Sequence, residues 1–432
     1  FNVANSVNCG DESTRWSGSA KVTSTSQQKG SWNIWLKRTV LGAQGLFKVY
    51  EDANTGVEFG FDSSDQFFMR EFESGSDVFN LKTSAAFRDT SAWMNILLAI
   101  DTTQGTEANR IRLYINGVEP SLATSTRPSV NTNLVRFFAN GSDSSGQQHE
   151  MGNNYDGATG HYLLTQILYV DGTQLANTDV GEFDSDSGIW KPIDISGTTL
   201  GNNGYYLSME DSSDFGTATG KSFTAHGFAA TDSRIDTCTN NFATLNPLIF
   251  ESSSNTFAEG NLKITGGGSD SWTTHYGLST IAVSTGKWFV ESKVTTVQDA
   301  QAILGLISTS EAIGSSLKDE GVLAVEKSGR ITGGGNNLQT GLTAFSNGDI
   351  AGLAFDATNG TGQFYRNGSA YGSAVSSLAS DTYYFATTTY ESGGVIEFNF
   401  GSPPYSESGG NSDGDGFGNF SMAVPSGYFA LN

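Results

Sequence analysis

Apolar residues in this chain of 432 recur at every second position over short stretches, with no sustained recurrence at helical spacing, which restricts the fold to one built from strands. Between Arg110 and Gly117, Ile111, Leu113 and Ile115 fall on one face and Arg110, Arg112 and Tyr114 on the other. The run ends in Asn116-Gly117, a strong hairpin signal. Ile396, Phe398 and Phe400 alternate with Glu397 and Asn399 in the same manner. Composition agrees: 53 Gly supply turns, and 28 Phe, 15 Tyr and 7 Trp supply far more burial than a disordered chain carries.

The length exceeds one sandwich and suits two. Leu97 to Thr103 followed by Leu113-Tyr-Ile-Asn-Gly117 has a counterpart in Ala351 to Thr358 followed by Phe364-Tyr-Arg-Asn-Gly368. Each reads as an apolar strand, an Asp-led turn with a nearby Thr, then an aromatic strand closed by Asn-Gly. The polar stretch Thr231 to Pro247 lacks alternation, which places a first domain at residues 1–230, a connector at 231–255 and a second domain at 256–432.

A net charge of −22 repels a phosphate backbone and anionic lipid, which argues against nucleic-acid binding and membrane binding. It suits solubility in salty water, where repulsion is screened. The longest apolar runs, such as Ile96 to Ile100, are strand-sized, and no leader pattern is visible. With Phe1 in first place, the chain is either processed or lacks its beginning. Two cysteines, Cys9 and Cys238, are too few for a disulfide framework and read as thiols, which fits assembly in a reducing cytoplasm.

Four segments, Ser31 to Lys37, Ala92 to Leu98, Arg112 to Val118 and Gly160 to Asp171, fall in the order seen in laminin-G-like, concanavalin-type domains, which the first half resembles. Gly286-Lys-Trp-Phe-Val-Glu-Ser292, Ile303 to Leu306, Gly348 to Asp356 and Phe364 to Gly368 resemble a SPRY domain. Thr239 to Leu248, and the ending from Gly416 through Asn432, are similar to virion proteins of marine bacteriophages that join these modules. The resemblance implies an all-β fold of two tandem concanavalin-like antiparallel β-sandwiches and a non-enzymatic fibre or adhesion component of the virion surface. Its partners would be other virion proteins and a host-surface glycan or protein, with many copies on a symmetric particle or a homo-oligomer. The alternative is a capsid-decoration or tail part contacting only virion proteins, and a glycan-cleaving enzyme ranks below both.

Several motifs invite chemistry. Glu182, Asp184 and Asp186 would share one face of a strand, as paired carboxylates of sandwich hydrolases do. Their neighbours are Gly, Ser and Asp rather than alternating apolar residues, so a solvated acidic loop is the preferred reading. Gly410-Asn-Ser412-Asp-Gly414 fits the G-x-S-x-G string of esterases without the helix that the elbow needs. His149, His161, His226 and His275 lack ligand or base-and-nucleophile spacing. The glycine triplets at 266–268 and 333–335 read as hairpin turns. Asn411, Asp413 and Asp415 mimic the first half of a calcium loop, but Met422 stands where the bidentate Glu belongs. An acidic turn is preferred there, with Ca²⁺ as the candidate ligand and no other cofactor expected. Trp32, Trp93 and Trp288 lie in strand patterns and should pack. Trp16 and Trp272 lie in polar surroundings and are candidate sugar-stacking platforms, with Trp16 the less committed to a core.

Overall fold

A computed structural model describes the chain apart from residues 11–13, 19–22, 139–148, 153–159, 214, 250–254, 268–275, 298–301, 312–316, 318–320, 390–391 and 408. The chain is all-β and divides into two units, one holding 1–233 with 237–240 and the other holding 234–236 with 241–432. Each is a sandwich of two antiparallel sheets, as the alternation and length imply.

In the first unit one sheet runs in the order Thr219–Gly220, Tyr205–Leu207, Tyr162–Asp171, Lys29–Arg38, Trp93–Asp101, Ile111–Ile115, with Ser6–Cys9 beside Tyr162–Asp171. The facing sheet runs Leu122–Thr126, Ser76–Ala86, Gln66–Glu73, Thr55–Phe61, Gln44–Asp52, Glu150–Met151, Arg15–Gly18, Phe223–His226. Between them lies an aromatic core in which Phe47 and Phe59 stack at 4.7 Å and Trp32 meets Phe59 edge-on at 5.3 Å. Ile111, Leu113 and Ile115 face that core, as their alternation demands.

The second unit pairs a seven-stranded sheet (Thr256–Ala258, Lys263–Thr265, Val395–Asn399, Lys287–Thr296, Ile350–Asp356, Thr361–Arg366, Ser369–Val375) with a six-stranded one (Tyr276–Val283, Tyr383–Thr388, Ala302–Ser308, Leu323–Glu326, Arg330–Gly333, Asn336–Gln339). Ile396, Phe398 and Phe400 are fully buried between them. Gly334 and Gly335 close a two-residue hairpin with positive φ at both positions, the turn expected of that triplet. Of the other triplet, Gly268 lies outside the described residues.

The internal correspondence is structural. Leu98 pairs with Leu113 and Leu353 with Phe364, and in both pairs the second strand runs into an Asn-Gly turn at positive φ, Asn116 and Asn367 each at 49°. Each turn asparagine accepts an N–H near the start of the partner strand, Asn95 N at 2.7 Å and Ile350 N at 2.8 Å. On the neighbouring strand, Lys29 faces Asp101 at 3.2 Å and Lys287 faces Asp356 at 3.6 Å. The same three strands, ion pair and turn thus recur in both sandwiches.

The expected connector needs correction. Residues from 241 onward belong to the second unit, where Phe242, Ala243 and Leu245 are buried. Leu245 N donates to the Asn261 carbonyl and Asn246 N to that of Leu278. The polar residues between these apolar ones conceal the packing from a strand-period reading. Cys9 is buried, its thiol directed at the Thr14 carbonyl at 3.2 Å, and Cys238 is half-buried and likewise a thiol.

Candidate functional site

Among the described residues, three of the four sheets that make up the sandwiches carry apolar cover on their outer sides. Leu97, Tyr114, Leu168, Val170 and Tyr206 lie under Val180 and Ile195. Phe289 and Ala354 lie under Phe420, Met422 and Ala430, and Leu278, Ala302 and Ala386 form the apolar layer of the six-stranded sheet with Leu317. On the eight-stranded sheet that contains Thr55–Phe61, no such cluster covers the outer side among the described residues. That side is polar, because of register.

One row crosses all eight strands in the order Thr224, Ser17, Glu150, Lys48, Glu58, Arg70, Asn80, Thr126, each residue directly opposite the next. The adjacent row, one residue along each strand, reads Trp16, Met151, Phe47, Phe59, Met69, Leu81 and faces the core. A period of two puts the rows on opposite faces. Charges alternate in sign across the polar row, the arrangement that favours cross-strand pairing.

Glu58 is the centre of this face. Its Oε1 accepts from Arg70 Nε at 2.7 Å and Nη2 at 2.6 Å, and its Oε2 from the Tyr50 hydroxyl. Tyr50 can reach it because it lies across Gly56: a Cβ there would stand 2.3 Å from the tyrosine ring. Arg70 also stacks over Phe72 at 4.7 Å. Beside this group, Glu58, Asp62, Phe68, Arg70, Asn80 and Lys82 line an open recess of about 410 Å³. Lys82 approaches Asp62 at 3.4 Å, while the other carboxylate oxygen of Asp62 accepts from Ser64 N and Gln66 N. Half-buried Phe68 presents an aromatic surface within the recess.

The residues singled out by sequence lie elsewhere. Trp16 has no exposed surface; its Nε1 donates to the Phe215 carbonyl at 2.8 Å and its ring packs on Phe228 at 4.4 Å. Its place in the apolar row corrects its assignment as a sugar platform, since a ring with no exposed face cannot stack on a ligand. Trp272 and His275 lie outside the described residues. Trp32 is buried, and Trp93 and Trp288 are half-buried.

Asn411, Asp413 and Asp415 do not present a calcium cradle. Asp413 is buried, accepting from Asp415 N and Phe417 N on one oxygen and Ala430 N on the other. The Asn411 amide donates to the Phe420 and Ser421 carbonyls, and Asp415 is exposed. Among the described residues no three His, Cys, Asp or Glu side chains converge on a point that could hold a metal. The loop organises itself through its own backbone N–H groups.

Glu182 belongs to the short strand Gly181–Phe183, and Asp184 and Asp186 to the turn beyond it. Ser187 N–H first, then Lys191 and the Ser187 hydroxyl, hold the Asp184 carboxyl far below the usual range. A group held ionised in that way makes a poor general acid.

Two buried glutamates escaped the sequence reading. Glu71 accepts from the successive amides Arg136 N and Phe137 N, and burial lifts its carboxyl to about 7. Glu291 accepts from Ser421 N, Met422 N and Asn399 Nδ2, and burial lifts it likewise to about 7. Glu71 fixes a segment packed inside the first sandwich and Glu291 one that returns over the outer side of its sheet, roles only the tertiary fold assigns. The Glu58 face was legible in outline: Gly56, Glu58, Gly60 and Asp62 alternate with Val57, Phe59 and Phe61, and Phe68, Arg70 and Phe72 fall in step.

Residues 12–159 match the family model Laminin_G_3, described as the Concanavalin A-like lectin/glucanases superfamily. Over those residues the chain is similar to concanavalin-like β-sandwich proteins, and the match takes in the sheet that bears the Glu58 face apart from its strand Phe223–His226. No curated protein matches the chain. Among solved structures it is similar to the SPRY domain of human HERC1 (18% identity, 36% of this chain and 96% of that one, TM-score 0.31). It is similar also to the TRIM65 PSpry domain (14%, 36% and 91%, 0.29) and to a native heptameric SAP-like pentraxin from Limulus polyphemus (10%, 41% and 80%, 0.29).

Proposed function

We propose that this chain is a recognition protein whose first unit binds carbohydrate on the Glu58 face, and that it serves as an adhesion or fibre component on the surface of a marine bacteriophage. The observation that carries the binding reading is the polar row on an uncovered sheet face. Fixed carboxylate, guanidinium and amide groups next to an aromatic ring are the usual equipment for sugar hydroxyls and the apolar face of a pyranose. The virion setting rests on the sequence resemblance of the connector and tail, as does reading the second unit as SPRY-like.

Binding without hydrolysis is favoured by the partners of the two carboxylates: Glu58 accepts from Arg70 and Tyr50, and Asp62 from Ser64 N, Gln66 N and Lys82, which ties both to fixed donors within the face.

Affinity electrophoresis of the full chain through gels containing host-surface polysaccharide tests the reading. Retardation should fall about tenfold or more in Arg70→Ala and in Phe68→Ala, each with an unchanged circular dichroism spectrum. Equal retardation of all three proteins would remove this face from consideration. Release of reducing sugar that is lost in Glu58→Gln would replace binding with catalysis. Antibody labelling of intact virions would distinguish an exposed adhesion module from a part enclosed by other virion proteins.

A further inference from the structure

We propose that the ligand of the Glu58 face is an uncharged glycan rather than a sulfated or uronate-bearing one, a deduction that rests on the carbohydrate-binding reading. The recess holds two cations, and both are already opposed: Arg70 by Glu58 at 2.6 Å and Lys82 by Asp62 at 3.4 Å. The next cation along the row, Lys48, is opposed by Glu150 at 3.0 Å. An anionic polymer has to displace a carboxylate from one of these cations or sit beside it, and either choice brings like charges together in a chain of net charge −22. A hydroxyl meets no such penalty. It donates to a carboxylate lone pair and accepts from a guanidinium, so a pair of adjacent hydroxyls bridges an ion pair without breaking it.

The same geometry marks Glu58 as the residue that sets this preference. It neutralises Arg70 while the Tyr50 hydroxyl holds its second oxygen. Removing its charge turns the centre of the face from neutral to cationic, with Asn80 on the far side of Arg70 contributing none.

The full-length protein, run through gels containing dextran, β-1,3-glucan, galactomannan or agarose, and the sulfated derivative of each backbone, provides the test at low and at seawater-like ionic strength. Retardation is expected with at least one neutral polymer, little changed by salt, and about tenfold weaker with its sulfated derivative. Glu58→Gln should reverse the order, acquiring affinity for the sulfated polymer that fades with salt. Wild-type preference for the sulfated derivative overturns the proposal and leaves carbohydrate binding standing. Failure to bind any polymer of either kind overturns both.

Discussion

Trp16 and Glu58 show how one residue of register decides a role. Ser17 and Glu58 stand in the polar row, and Trp16 and Phe59 stand in the apolar row beside it. Read locally, Trp16 sits between Arg15 and Ser17 in polar company and looks free to meet a ligand. Its strand is only four residues long, too short for alternation to be recognised, so only the sheet reveals which way the ring points. Because that ring is fully buried, Trp16→Ala should destabilise the first unit by about 3–5 kcal/mol, read as a lowered melting temperature. Glycan retention per folded molecule should not change. A stable variant that loses binding would return Trp16 to the surface.

Buried carboxylates hold irregular segments against the sheets, and this couples stability to pH. Glu71 and Glu291 have an ordinary value of 4.5 and stand at about 7 when folded. Between those values the folded chain keeps protons that the unfolded chain has released, so stability falls as pH rises from about 4.5 to 7 and then levels. Asp65, Asp101, Asp349 and Asp356 are shifted the other way. Although burial raises each of them, it is outweighed: N–H donors and nearby Arg or Lys groups hold them below 3.8 when folded, so their contribution disappears as pH falls below that value. Thermal unfolding should therefore show greatest stability near pH 4.5, declining toward pH 7 and dropping sharply in strong acid. Glu291→Gln should flatten the decline above pH 5 for the second unit. A melting temperature that climbs steadily from pH 5 to 8 would contradict the burial of these carboxyls.

At the scale of the whole molecule, the two units repeat one three-stranded motif and differ in what is laid over it. Residues 241–249 illustrate the consequence for dissection, since Phe242, Ala243 and Leu245 complete the second unit's packing. A fragment comprising residues 241–432 should fold cooperatively. A fragment beginning at 256 should melt at a lower temperature or fail to fold, because each buried large side chain removed costs on the order of 2–5 kcal/mol. Equal melting temperatures for the two fragments would restore a connector as far as 255.

Alternating apolar residues, Asn-Gly turns and the repeated Asp-led hairpin determined by themselves that this chain forms antiparallel strands and two related sandwiches, because side-chain period and turn conformation are local properties. The sign of the total charge was equally local. Which of four sheet faces stays uncovered was decided only in three dimensions. It depends on where the segments 172–200 and 401–432 lie down, and those segments lack the periodicity that would announce their partners. The polar row was likewise visible only once eight strands, drawn from residues 15 to 226, had settled into register. A row across a sheet joins residues that share no stretch of chain, and the hydrogen-bond ladder between strands is what aligns them.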